Sequence, residues 1–139
     1  MTTALTCFLI DDDDEDREVF IMALEDVDKV HKCVTAINGK DALQILNENA
    51  TFIPDFIFLD LNMPIMNGMQ CLHEIKRIPR LYSVPVIIYT TSSYEKDISK
   101  TKQLGAAHFL TKPYQISRLS KILRNLFQKQ TLAFSLNEA

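Results

Sequence analysis

Residues 54–68 read PDFIFLDLNMPIMNG, and this stretch decides the fold class of the chain. Phe56–Leu59 is an uninterrupted run of large apolar residues that ends at Asp60, which is typical of a strand buried on both faces. The loop after it contains Pro64 and reaches Gly68, where a helical pattern begins. Strands of this kind occur in parallel sheets that helices cover on both sides, so this stretch predicts an α/β domain.

The rest of the chain repeats the same order of a short apolar strand and a helical segment. Five such repeats predict a doubly wound, five-stranded parallel sheet with right-handed crossovers and helices on both faces. Ser93 or a neighbour is placed to cap the fourth helix, and Gly105 is placed to end it. The predicted strands are Leu5–Ile10, Lys32–Ile37, Phe56–Leu59, Val86–Tyr89 and Ala107–Leu110. The predicted helices are Glu15–Val27, Lys40–Asn47, Gly68–Ile78, Tyr94–Leu104 and Gln115–Phe127.

Length and charge restrict the class of protein. The chain has 139 residues, of which 47% are hydrophobic, and its net charge is −3. This length fits one domain, and the lack of a basic stripe argues against direct binding to nucleic acid. The sequence has no signal-peptide pattern and no apolar stretch that could span a bilayer, so we expect a cytoplasmic protein without membrane contact. Cys7, Cys33 and Cys71 are widely spaced, which favours free thiols in a reducing compartment.

Polar side chains stand where four of the predicted strands end. Asp11 and Asp12 follow the first strand, Asp60 the third, Thr90 the fourth, and Lys112 lies close after the fifth. The carboxyl ends of parallel strands share one edge of a sheet, and ligands bind there, so we expect these groups to converge. Clustered carboxylates repel one another, and a hard cation such as Mg²⁺ removes that conflict. One carboxylate could attack phosphorus while the hydroxyl and the ammonium bind phosphoryl oxygens.

Each of these groups also has an ordinary structural explanation. Acidic residues at 13–16 suit the first turn of a helix, where the helix dipole favours them. The hydroxyl residues at 90–93 suit a helix cap, Asp60 alone could be a turn residue, and Lys112 alone could be an exposed residue of a turn. Their coincidence at four strand ends is what indicates a phosphoryl-transfer site.

The candidate residues lie in or near five short motifs, which are Phe8–Asp12, Phe58–Gly68, Pro85–Thr91, Leu104–Ala106 and Leu110–Pro113. Together these motifs resemble those of bacterial response-regulator receiver domains. The resemblance implies a flavodoxin-like (βα)5 fold with strand order 2-1-3-4-5. It also implies a receiver domain over Leu5–Phe127, with a short tail at 128–139 and no output domain. The segments Leu59–Gly68 and Thr90–Ser93 look most like single-domain regulators that serve phytochrome-type histidine kinases.

The resemblance implies roles for the acidic residues. Asp60 matches the aspartate that is phosphorylated. Asp12 matches a direct Mg²⁺ ligand, Asp11 matches its acidic neighbour, and Asn62 matches the residue whose backbone carbonyl completes the metal site. Because the acidic run is unusually long, Asp12 and Asp13 are an alternative metal pair, although the end of the first strand favours Asp11 and Asp12.

The resemblance also implies a switch. Thr90 matches a hydroxyl residue and Lys112 a lysine that bind the phosphoryl group, and Phe109 matches an aromatic switch position. Pro113 matches a proline that usually follows a cis peptide bond. On phosphorylation, the face built from the last two predicted helices and the strand between them would change its surface.

The function that follows is that of a single-domain response regulator in two-component signalling. It would accept a phosphoryl group from a histidine kinase with Mg²⁺, catalyse only its own phosphorylation and dephosphorylation, and signal to a downstream protein or to a second copy of itself. An alternative is a phosphorelay intermediate that passes the group to a histidine phosphotransfer domain. A Mg²⁺-dependent phosphatase is disfavoured because Asn62 stands where such enzymes usually carry a second aspartate. An inactive scaffold is disfavoured because the site residues are intact.

Overall fold

The structure is a computed structural model that describes residues 3–128 and 132–137. Its elements alternate between strand and helix, with one 3₁₀ turn at Pro79–Leu81. The strands are β1 (Thr6–Ile10), β2 (Lys32–Ala36), β3 (Phe56–Leu59), β4 (Val86–Thr90) and β5 (His108–Thr111). The helices are α1 (Asp14–Val27), α2 (Gly39–Glu48), α3 (Gly68–Ile75), α4 (Glu95–Gln103) and α5 (Ile116–Phe127).

The five strands form one parallel sheet in the order β2-β1-β3-β4-β5. This order confirms the predicted doubly wound (βα)5 fold. Ile10 pairs with both Ala36 and Leu59, and Thr90 pairs with Thr111. The strands therefore end close to one line, and the residues that follow them share one edge of the sheet.

Alternation along the strands supplies two apolar layers. Phe8 and Ile10 of β1 pack with residues of α2 and α3, whereas Cys7 and Leu9 pack with residues of α1 and α5. All four side chains are fully buried. Burial of one large apolar side chain contributes about 1.5–3 kcal/mol, so each strand is held from both sides. The three cysteines are free thiols, as expected. Cys7 and Cys33 are opposite each other in the register of β1 and β2 but form no disulfide bond.

Most helix ends lie within one residue of the prediction, but the end of α3 and the cap of α4 differ from it. Helix α3 ends at Ile75 because Ile78, which precedes Pro79, is forced out of the helical region into extended backbone. The expected hydroxyl cap of α4 is absent, since the N-cap residue is Tyr94 and its side chain makes no capping hydrogen bond. Gly105 follows α4 with a φ of 101°, which confirms its predicted role as the residue that ends this helix.

Residues 132–137, which we call the tail segment, lie along the outer edge of β5. The backbone N–H of Phe109 donates to the carbonyl of Phe134 at 2.9 Å, and the N–H of Leu136 donates to the carbonyl of Phe109 at 2.9 Å. A parallel bridge joins Phe109 to Ser135. The sequence predicted only a short tail here, and its remaining residues, 129–131 and 138–139, lie outside the described residues.

Candidate functional site

Backbone hydrogen bonds continue past the strand ends and position the polar residues there. The N–H of Asp11 donates to the carbonyl of Ala36 at 3.0 Å, and the N–H of Asp60 donates to the carbonyl of Ile10 at 3.0 Å. The N–H of Lys112 donates to the carbonyl of Thr90 at 2.7 Å. Backbone hydrogen bonds at the edge of the sheet therefore position these three candidate residues, independently of any contact that their side chains make.

Three carboxylates converge at this edge. Asp11 is fully buried, Asp60 is 6% exposed and Asp12 is exposed. One carboxylate oxygen from each lies within 4.8 Å of the other two. Three hard oxygen ligands at this separation suit a divalent cation such as Mg²⁺, and the exposed Asp12 leaves the site open to solvent.

Asp13 is engaged elsewhere. It is the N-cap of α1, and its side chain accepts a hydrogen bond from the N–H of Asp16 at 3.0 Å. Its own N–H donates to Oδ1 of Asp11 at 3.0 Å. The side chain of Asp13 thus satisfies the first turn of the helix, which favours Asp11 and Asp12 over the alternative pair of Asp12 and Asp13.

Lys112 connects the carboxylates. Its Nζ lies 2.8 Å from Oδ2 of Asp11, 2.7 Å from Oδ2 of Asp16 and 3.3 Å from Oδ2 of Asp60. It also lies 5.2 Å from the centroid of the Tyr89 ring. Burial by itself would lower the pKa of Lys112, but the close contacts with the Asp11 and Asp16 carboxylates and the charge of Asp60 outweigh burial and raise it. Lys112 is therefore a fixed positive charge at this edge.

Sequence reasoning missed Asp16, which it assigned to the solvated first turn of the helix. Asp16 does lie in that turn, yet its carboxylate is the nearest of the three to the Lys112 ammonium. The neighbouring Arg17 guanidinium donates to the backbone carbonyl of Asp11 at 2.7 Å. The acidic residues 13–16 indicated that a carboxylate could lie near the site. Which of them contacts Lys112 depends on the orientation of α1.

Thr90 has a hydroxyl without a partner. Its side chain is fully buried at the end of β4, and Oγ1 makes no hydrogen bond within the part of the chain that the structure describes. A buried polar group without a partner costs about 1–3 kcal/mol. Phe109, on the adjacent strand β5, is also buried, and it pairs in register with Ile88. The Thr90 hydroxyl is thus free to bond an oxygen that enters the site.

The loop after β3 completes the site. The N–H of Asn62 donates to Oδ1 of Asp60 at 3.3 Å, so this loop contacts the candidate phosphorylation residue directly. Gly68 closes the loop, and its N–H donates to the carbonyl of Leu61 at 2.9 Å. Ile65 has a φ of 71°, a conformation that branched residues rarely adopt, and its side chain is exposed.

The expectation of a cis bond before Pro113 is wrong. No described peptide bond is cis, so the bond between Lys112 and Pro113 is trans. The trans form of such a bond is favoured by about 0.5–1 kcal/mol, and here it already carries the Lys112 ammonium to three carboxylates.

The buried Asp11 predicts a pH dependence. Burial raises the pKa of Asp11 to about 6 from its ordinary value of 3.8, against the opposing effect of the Lys112 ammonium and of the hydrogen bond from the Asp13 N–H. The folded state thus binds a proton more tightly than the unfolded state does. The stability that protonated Asp11 contributes is fully present below pH about 4 and is lost as the pH rises to about 6.

We therefore expect Asp11→Asn not to lose stability in this way, because the amide does not ionise. In buffer without divalent cations, its free energy of unfolding relative to the wild type should rise by about 1–3 kcal/mol between pH 4 and pH 7. Urea denaturation at the two pH values measures the difference. Asp14→Asn, at an exposed position in the same acidic run, is the control and should follow the wild type. A constant offset between Asp11→Asn and the wild type would contradict the prediction.

The chain is similar to known proteins over most of its length. The family described as the response regulator receiver domain matches residues 7–124. The response regulator Rcp1 of Synechocystis sp. is 29% identical over 122 residues, which cover 85% of this chain and 83% of Rcp1. A protein-glutamate methylesterase/protein-glutamine glutaminase of Clostridium acetobutylicum is 33% identical over 132 residues. These residues cover 93% of this chain but only 36% of that relative.

Solved structures agree with this similarity. The phosphorylated cyanobacterial phytochrome response regulator RcpA has a TM-score of 0.79 and 31% identity, and the match covers 89% of this chain and 91% of RcpA. The Mn²⁺-bound form of Rcp1 has a TM-score of 0.76 and 28% identity, covering 94% and 98%. The chemotaxis regulator CheY4 of Vibrio cholerae has a TM-score of 0.76 and 25% identity, covering 89% and 99%. Within residues 3–128 and 132–137, no helix has the length and apolarity that a membrane span needs.

Proposed function

The chain belongs to the response regulator receiver domain family, and we propose from that premise that Asp60 accepts a phosphoryl group from a histidine kinase. The observation that carries this proposal is the arrangement at the carboxyl edge of the sheet. Asp60 lies there beside the carboxylates of Asp11 and Asp12, and its Oδ2 is 3.3 Å from the ammonium of Lys112. Its nucleophilic oxygens thus lie beside both a candidate cation site and a fixed positive charge.

Asp60 supplies the nucleophile. A carboxylate oxygen of Asp60 forms a bond to phosphorus while the bond from phosphorus to the histidine nitrogen of the kinase breaks, and that nitrogen takes up a proton. The N–H of Asn62 and the ammonium of Lys112 contact separate oxygens of Asp60, which orients the carboxylate. Catalysis here consists mainly of positioning and of stabilising negative charge.

A divalent cation fits the residues present. Asp11, Asp12 and Asp60 would hold Mg²⁺ together with the backbone carbonyl of Asn62, and the three clustered carboxylates are the observation that supports this choice. When bound, Mg²⁺ neutralises charge on the phosphoryl oxygens. It would also relieve the repulsion among these carboxylates, which Lys112 relieves in the structure.

The phosphoryl oxygens have two partners in the chain. The Thr90 hydroxyl, which is buried without a hydrogen bond among the described residues, can donate to one oxygen. The Lys112 ammonium can bond a second oxygen in place of Oδ2 of Asp60, from which it is 3.3 Å away. Movement of Thr90 toward the phosphoryl group would open space toward Phe109 on β5, and this change would reach the face formed by α4, β5 and α5.

The kinase would be of the phytochrome type. The support for this part of the proposal is the similarity to RcpA, at 31% identity and a TM-score of 0.79. Phosphotransfer from a phytochrome-type kinase, compared with kinases of other classes, tests it, and equal rates from all of them would contradict it.

Labelling with acetyl phosphate tests the chemistry. With Mg²⁺ the intact mass should increase by one phosphoryl group, and with a chelator it should not. Asp12→Asn should raise the Mg²⁺ concentration needed for half-maximal labelling by about tenfold, which corresponds to about 1.4 kcal/mol of lost binding. Asp14→Asn, at an exposed position two residues further along the chain, should behave like the wild type. Equal labelling with and without Mg²⁺ would overturn the proposed role of the cation.

A further inference from the structure

The tail segment occupies the edge of β5 as an added strand would. Backbone hydrogen bonds join both polar groups of Phe109 to it, through the carbonyl of Phe134 and the N–H of Leu136. Beyond them, the side chain of Asn137 continues the pattern. Its Oδ1 accepts from the N–H of Thr111 at 2.8 Å, and its Nδ2 donates to the carbonyl of Thr111 at 2.9 Å. The hydrogen-bonding groups of β5 that face outward are thus satisfied by the chain itself.

Side chains of the tail segment pack in the apolar layers on both faces of the sheet beside β5. Leu136 is only 6% exposed and packs in the layer formed with α1 and α5. Phe134 packs against the opposite layer, and the Lys102 ammonium of α4 lies 5.5 Å from its ring centroid. The Arg118 guanidinium of α5 donates to the carbonyl of Asn137 at 3.1 Å. The segment therefore contacts α4, β5 and α5 together.

The same strand leads directly into the candidate site. Thr111 pairs with Thr90, which carries the unpartnered hydroxyl, and Lys112 follows Thr111 in the chain. Phe109, whose backbone is bonded to the tail segment on both sides, is a buried neighbour of β4. If β5 shifted toward a phosphoryl group bound in the site, the backbone groups of Phe109 and Thr111 that hydrogen-bond the tail segment would move with it.

We propose that the outer edge of β5 is a docking surface for an extended peptide and that the tail segment is its internal occupant. Its hydrogen bonds and two side-chain contacts show what the surface binds: a strand with an aromatic residue and a leucine two positions apart, followed by asparagine. The partner is an extended segment of another protein with this pattern. The tail segment competes with this partner. It also covers a sheet edge that would otherwise be free to pair with strands of other chains.

The second part of the proposal rests on the proposed function. Phosphorylation of Asp60 weakens the tail segment, so the surface opens to the partner when the site is occupied. Because coupling between two binding events is reciprocal, a chain with a weakened tail segment must bind a phosphoryl mimic more tightly by the same factor.

A peptide with the sequence of residues 131–138 tests the docking surface without any phosphorylation. Leu136→Ala combined with Asn137→Ala removes the buried side chain and the side-chain bonds to Thr111. The fluorescent peptide should bind this full-length variant at concentrations up to about 1 mM, and bind the wild type at least tenfold more weakly because its surface is occupied. Ala133→Ser, at an exposed position of the same segment, leaves the side chains of Leu136 and Asn137 in place; it is the control and should resemble the wild type. Equal binding to all three proteins, or binding to none, would overturn the docking surface.

Beryllofluoride with Mg²⁺, which stands in for the phosphoryl group, tests the coupling. The double variant should bind it three- to tenfold more tightly than the wild type, and in the wild type it should accelerate hydrogen exchange of the Phe109 and Leu136 amides. If beryllofluoride binds wild type and variant equally and leaves these amides protected, the coupling is wrong while the proposed phosphorylation site stands. If beryllofluoride binds neither protein, the proposed function fails, and the peptide experiment still decides the docking surface.

Discussion

Replacement of Asp60 by Asn is expected to reduce phosphoryl incorporation from acetyl phosphate by at least about a hundredfold, because the amide cannot act as the nucleophile. No other carboxylate of the cluster is equivalent. Asp11 is fully buried and bound to Lys112, whereas Asp12 is exposed and has no such contact with Lys112 among the described residues. Intact-mass measurement over a time course in Mg²⁺ gives the ratio of the two labelling rates.

Asp14→Asn is the matched control for Asp60→Asn, since it removes one exposed carboxylate from the start of α1 and should be labelled at the wild-type rate. Far-ultraviolet circular dichroism of Asp60→Asn should match the wild type, because Asn keeps the size of the side chain. If Asp60→Asn is labelled at more than about a tenth of the wild-type rate, Asp60 is not the principal phosphorylation site.

Gly68→Ala is expected to destabilise the protein by about 1–3 kcal/mol, the range for adding a methyl group where the surrounding atoms must shift to make room. A Cβ atom at Gly68 would lie 2.2 Å from the carbonyl oxygen of Asp60 and 2.6 Å from the Cα of Leu61. These backbone atoms belong to the loop that presents the candidate nucleophile. The substitution should therefore lower the phosphorylation rate as well as the free energy of unfolding, which urea denaturation measures.

Gly39→Ala is the control for this clash. A Cβ at Gly39 would lie 3.0 Å from Cγ and Sδ of Met66, and a methionine side chain can move aside. Gly39 lies at the start of α2, where alanine favours the helix, so the net change should be within about 1 kcal/mol. If the two substitutions lower the free energy of unfolding equally, the clash with the backbone of Asp60 and Leu61 is not what destabilises Gly68→Ala.

The prediction of the elements succeeded where a pattern is local and strong. Strand β3 was predicted at Phe56–Leu59 and is found there, because a run of large apolar residues needs cover on both faces. The prediction placed the end of α3 three residues too late, at Ile78. There the apolar spacing continues past the helix, and the steric effect of Pro79 on its neighbour decides the boundary.

The candidate site could be predicted in part for a similar reason. In a parallel sheet, the residue after each strand lies at the same edge, so Asp11, Asp60 and Lys112 were brought together by chain order alone. Asp16 could not be identified in this way. It belongs to a run of acidic residues with equal chemistry, and the packing of α1 on the sheet selects the one that reaches Lys112.

By itself, the sequence determined the five-stranded sheet, the edge at which chemistry occurs and the kinds of group that stand there. These properties follow from spacing along short stretches of chain, which fixes the direction of each side chain once a strand or helix forms. The tertiary structure alone decided that Asp16 binds Lys112, that Thr90 has a buried hydroxyl without a described partner, and that the tail segment covers the edge of β5. Asp16 and Lys112 are 96 positions apart, and only the packing of the completed layers brings such residues into contact.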